Sequence, residues 1–93
     1  MAEERQVSNN EQSGRYELVV GGFTAIAAYR READKVVFTH TVVPEELEGQ
    51  GVGSALLKGA LEDVRAQGLK IVPLCSFVER YVAKHPETQD LVA

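Results

Sequence analysis

Polar residues dominate the first stretch of the chain. Between Ala2 and Ser13, Val7 is the one large apolar side chain among Glu, Gln, Asn and Ser. That pattern predicts a flexible tail over residues 1–13 and one domain over residues 14–93. From Arg15 the pattern becomes that of strands. Arg15 to Val20 reads as a first strand, and Gly21-Gly22 as a two-residue turn that accepts positive φ. Phe23 to Arg30 follows as a second strand, with Phe23, Ala25, Ala27 and Tyr29 on one face and Thr24, Ile26 and Ala28 on the other. Glu32-Ala33-Asp34 makes the next turn. Lys35 to Val43, rich in Val, Phe and Thr, is a third, central strand. Short connections make the three an antiparallel meander.

Pro44 ends that strand because it has no N–H to give the ladder. After the loop Glu45 to Gln50, the period lengthens. Gly53, Leu57, Ala60, Leu61 and Val64 fall on one helical face, and the helix runs from Gly51 or Val52 to Gln67. Gly68 stops it. Leu69 to Cys75 is a short apolar strand in which Pro73 removes one ladder donor, so pairing on both sides is not expected. Phe77 to Lys84 forms a last short helix, ended by Pro86. The crossover helix makes Lys35–Val43 and Leu69–Cys75 a right-handed parallel βαβ pair. The predicted class is therefore α+β, a three-stranded antiparallel meander, then a βαβ unit and a short C-terminal helix.

Composition narrows the function classes. Ninety-three residues make one small domain, which buries only about 60–65% of its unfolded surface, so a bound ligand would add to its stability. The net charge of −4 argues against a nucleic-acid partner, which needs a basic face. One cysteine, Cys75, allows no internal disulfide, and with two histidines it does not suggest a metal site. No apolar run is long enough for a membrane span, and the polar N-terminus lacks a signal-peptide core. A cytoplasmic location is the default expectation. The oligomeric state is not legible, with a monomer favoured.

The chemistry concentrates in Glu48-Gly49-Gln50-Gly51-Val52-Gly53-Ser54. A glycine-rich turn between strand and helix leaves the first helical N–H groups without intrahelical partners, at the positive end of the helix dipole. An anion sits well there, and Gly51 and Gly53 let it approach without a Cβ in the way. Neither nucleotide fingerprint fits. Walker A needs Gly-Lys-Ser/Thr where this chain has Gly53-Ser54-Ala55, and the dinucleotide motif needs glycine at Ser54. The alternative is a turn that merely lets a helix start close to a sheet.

The run His40 to Leu57, with Val42-Val43-Pro44 before the turn, resembles the acetyl-CoA motif of the GNAT acetyltransferase superfamily, Arg/Gln-x-x-Gly-x-Gly/Ala at a helix start. Pro73-Leu74-Cys75-Ser76-Phe77-Val78, with Tyr81 and His85-Pro86, resembles its small, domain-minimal branch. The resemblance spans Tyr16 to Val92. It implies a GNAT-like fold in which the two parallel strands splay, and Pro73 fits a splay. It implies acetyl-CoA or CoA as cofactor and transfer of acetyl to an unidentified amine by direct attack. Amides of Gln50, Gly51, Val52, Gly53 and Ser54 would hold the pyrophosphate, and the backbone of His40 and Val42 would pair with the pantetheine arm. Glu48 departs from the motif, standing where Arg or Gln is usual, and a carboxylate there repels phosphate. The chain also lacks the N-terminal helices and C-terminal hairpin that shape the acceptor site in larger members. A CoA-binding module without efficient catalysis is the alternative reading.

Three side chains are catalytic candidates, each with a structural alternative. Tyr81 falls where the family has a tyrosine near the CoA sulfur, and could protonate the leaving thiolate or simply anchor a helix. Cys75 precedes a helix, which can lower a thiol pKa, and could accept acetyl transiently or be a buried strand residue. His40 could be a general base or face the other side of the sheet. His85 suits a helix cap. Arg80 and Lys84 either meet the CoA phosphates or are simply solvated.

Overall fold

A computed structural model describes residues 6–93. Five strands form one sheet in sequential order, β1 (Val7–Asn10), β2 (Arg15–Val20), β3 (Phe23–Glu32), β4 (Lys35–Val42) and β5 (Lys70–Pro73). Strands β1 to β4 pair antiparallel, and β4 pairs parallel with β5. Helices α1 (Val52–Ala66) and α2 (Ser76–Lys84) share one core with the sheet face that carries Tyr16, Leu18, Ala25, Ala27, Val36, Phe38 and Ile71. The α+β class, the meander and the βαβ crossover are as the hydrophobic pattern predicts. The Gly21-Gly22 turn has both residues at positive φ, the conformation that matches strand twist.

The chain start departs from the expected tail. Val7–Asn10 is an edge strand, and its anchor is a close approach. A Cβ at Gly59 would lie 2.5 Å from a Val7 methyl group, so Val7 packs directly on the α1 backbone. The Tyr29 hydroxyl donates to the side-chain carbonyl of Asn9. A polar strand with one apolar anchor has no readable period, which is why the pattern hides it. The sheet therefore begins at Val7 instead of residue 14, while residues 1–5 of the predicted tail lie outside the described residues.

Helix α1 buries Val52, Gly53, Leu56, Leu57, Ala60, Leu61 and Val64, a stripe one row wider than predicted. The Tyr16 hydroxyl donates to Asp63 at 2.7 Å, tying β2 to the C-terminal half of α1. Burial and the Asp63 carboxylate push the Tyr16 hydroxyl pKa far up, so it stays a donor.

The last elements also differ from expectation. Strand β5 stops at Pro73, and Cys75 is the N-cap of α2 instead of a strand residue. Beyond α2, Pro86–Leu91 forms a 3-10 turn, and Val92 bridges Ile71 in parallel. Arg65 holds this segment through Asp90, at 2.8 and 2.9 Å, and through the Glu87 carbonyl.

Candidate functional site

Two irregularities in β4 and β5 create the site. The first is a bulge. Ala28 pairs with His40 but Tyr29 pairs with Phe38, which leaves Thr39 as the extra residue. Its hydroxyl donates to the Ala28 carbonyl at 3.3 Å. Val36 and Phe38 face the core before the bulge. After it Thr41, opposite the buried Ala27, faces the helices. His40 and Val42 take the open face. In an unbulged strand His40 would have shared the face of Phe38.

The second irregularity is the splay between the parallel strands. Pairing of β4 with β5 ends at Phe38 opposite Pro73, yet β4 continues to Val42 on the β3 side. The N–H groups of Leu74 and Cys75 both donate to the Phe38 carbonyl, at 3.1 Å each. That convergence turns the chain off the sheet and into α2. The β4 edge beyond Phe38 is left without a β5 partner.

A groove of about 380 Å³ runs from this edge to the start of α1. Thr41, Val43, Glu48, Gly51, Gly53 and Phe77 are among its lining residues. Gly49 and Gly51 have φ of 81° and 71°, and Gly51 is a left-handed N-cap with no side-chain hydrogen bond to the first turn. A Cβ at either would meet open space, so conformation alone demands glycine there. Gly53 is different. A Cβ there would lie 2.5 Å from the Phe77 ring, so packing of α2 on α1 is itself a reason for this glycine. The Gln50 side chain donates to the Glu46 carbonyl at 3.2 Å and braces the loop.

Cys75 lies beside the groove's β4 end, with its Sγ 3.5 Å from Thr41 Oγ1. Burial raises the pKa of its thiol. The Thr41 hydroxyl and the N–H groups of Val78, Phe77 and Thr41 outweigh burial, and the thiol ends below its ordinary value.

Tyr81 lies elsewhere. Its ring stacks on His85, with centroids 3.9 Å apart, and lines two further cavities between α1 and α2, not the Thr41 groove. Burial and the carboxylates of Glu87 and Glu62 raise its hydroxyl pKa. His85 caps α2, with its Nδ1 2.7 Å from the Tyr81 carbonyl. His40 is exposed on the open face. The groove thus unites Gly51, Val52, Gly53 and Ser54, with Cys75 beside it, and its lining leaves out Gln50, Tyr81 and the side chains of His40 and Val42. Thr41 and Phe77 were given no role from sequence. Phe77 sits in the second family-like block, but the bulge that turns Thr41 inward leaves no sequence signal.

The sequence model for GCN5-related N-acetyl-transferase matches residues 15–91. The chain belongs to that family. The solution structure of a GCN5-like candidate N-acetyltransferase from Staphylococcus aureus superposes with a TM-score of 0.72. It is 31% identical and covers 95% of this chain, which spans 87% of that one. Protein NATD1 of Mus musculus is 28% identical over 89 residues, 92% of this chain and 81% of its own length. Human NATD1 is 32% identical over 68 residues, 72% of this chain but only 60% of its own length. Among the described residues no helix is long and apolar enough to cross a membrane, and no cluster of His, Cys, Asp and Glu could hold a metal ion.

Proposed function

We propose that this member of the family binds acetyl-CoA and transfers its acetyl group to an amine. The observation that carries this reading is one continuous groove from an unpaired β4 edge to an uncapped helix N-terminus. Such an edge offers backbone groups to an extended arm, and the α1 start offers N–H groups to a pyrophosphate. Gln50 to Ser54 would hold the phosphates, and the backbone of Thr39 to Val42, with His40 and Val42 as the expected partners, would take the arm. When bound, acetyl-CoA supplies an acyl group already activated as a thioester. Direct attack by the amine needs no nucleophile from the chain. A reducing, cytoplasmic compartment suits the free thiol of Cys75.

The test is titration of isotopically labelled protein with acetyl-CoA and CoA. Amide signals of Gln50 to Ser54 are expected to move, and no movement at about millimolar ligand, a regime that detects even weak binding, overturns the reading. Turnover on a panel of amines then separates mechanisms. Cys75→Ala is expected to retain transfer if attack is direct.

A second reading, a CoA-binding module with little turnover, draws on Tyr81. Its ring lies outside the groove and its hydroxyl pKa is raised. Binding without acetyl transfer to any amine selects that reading. Loss of turnover in Tyr81→Phe, with CoA affinity kept, selects the enzyme with Tyr81 as acid.

A further inference from the structure

Beside the α1 start lies a smaller notch of about 250 Å³, lined by Ser54, Phe77, Arg80, Tyr81, Lys84 and His85. Ser54 also lines the main groove, so the two spaces adjoin at the first turn of α1. We propose that this notch is a second anion subsite, in which Arg80 and Lys84 bind a phosphomonoester carried on the ribose of the nucleotide ligand. The proposal rests on the reading that the α1 start takes the pyrophosphate of CoA, and adds a determinant that distinguishes phosphorylated from dephosphorylated carriers.

Four observations support it. Arg80 and Lys84 are one helical turn apart on α2 and both exposed, so they present two positive charges on one face. Among the described residues neither forms an ion pair, whereas Arg15, Arg30 and Arg65 each hold a carboxylate. No carboxylate lines the notch. Glu62, Glu87 and Asp90 line the adjoining larger groove of about 900 Å³ instead, together with Lys58 and with Arg65, which is paired to Asp90. The notch is thus charged by cations alone while the larger groove is mixed with carboxylates in excess, so a dianion is drawn to the Arg80 and Lys84 side. In a chain of net charge −4, this is a positive field built locally next to a helix N-terminus.

The chemistry of the pair suits a phosphomonoester. A guanidinium offers two parallel N–H donors to two phosphate oxygens, and an ammonium adds a point charge. The stacked Tyr81 and His85 rings give the notch an aromatic wall. CoA carries a ribose phosphomonoester and dephospho-CoA does not, so the pair isolates this one group.

Calorimetric titration with both ligands, on the whole chain, tests the subsite. CoA is expected to bind about tenfold more tightly than dephospho-CoA, a difference suited to two charge-assisted contacts. Raising the salt concentration should narrow that ratio. In Arg80→Gln/Lys84→Gln the ratio should fall to about one with dephospho-CoA affinity unchanged, consistent with a lost local contact. An unchanged circular dichroism spectrum shows that this variant folds. Equal wild-type affinity for the two ligands, or a ratio that survives the double substitution, overturns the subsite and leaves the pyrophosphate reading standing. Failure of both ligands to bind wild-type protein removes both proposals.

Discussion

The two halves of β4 follow opposite rules. Lys35 to Phe38 is paired on both sides, and Val36, Val37 and Phe38 are buried there. His40 to Val42 is paired on the β3 side only, and Val42 is 49% exposed. Only three residues separate Phe38 from Val42, yet the first half holds the sheet together and the second half borders the groove. Two local irregularities, the Thr39 bulge and Pro73, make the change. A strand can thus be structural and site-forming at once, provided its ladder stops abruptly.

The largest expected effect falls on the paired half. Phe38→Ala should destabilise the domain by about 3–5 kcal/mol, because the ring is fully buried between β3 and the helices. Chemical denaturation measures it, and a loss under about 1 kcal/mol, the size of a typical surface change, would break the contrast between the halves. Next comes the junction of the groove with α2. Gly53→Ala drives a methyl group into the Phe77 ring and should cost about 1–3 kcal/mol. Phe77→Leu in the same chain should recover much of that loss. No recovery would mean that the loss does not come from contact with the Phe77 ring.

The unpaired half should show its effect in chemistry before stability. Thr41→Val removes the hydroxyl that helps hold the Cys75 thiol below its ordinary pKa, so ultraviolet titration of the thiolate should move to higher pH. The sign of the linkage is fixed. The folded-state pKa is the lower one, so between the two values the unfolded chain binds more protons. Folding stability gains with rising pH through that window, and the gain is lost as pH falls through the folded pKa. Thr41→Val should flatten this dependence, whereas an unmoved titration would show that the backbone N–H groups act alone. The smallest effect belongs to Glu48, exposed at the α1 end of the groove. Glu48→Arg should tighten CoA binding by no more than about fivefold, the scale of an exposed charge pair. An unchanged affinity would mean that the carboxylate points away from the phosphates.

The sequence was most legible where one period ran for several residues. The Gly-Gly turn, the α1 stripe and the strand–glycine turn–helix order all depend on neighbours in the chain. For that reason the α+β class and the Gly51 to Ser54 segment follow from Arg15 to Gln67 alone. β1 did not follow, because its partners are Leu18 in the next strand and Gly59 on a distant helix. The same reason covers Gly53, whose requirement comes from Phe77, and the side that each of Thr41, His40 and Tyr81 faces. An extra residue at Thr39 reverses every later side chain of β4 without leaving a trace in composition. Chain order therefore determined which elements form and where the glycine-rich turn opens a helix N-terminus. Tertiary packing decided which side chains share that site, because facing is set by register and by contacts between residues far apart in sequence.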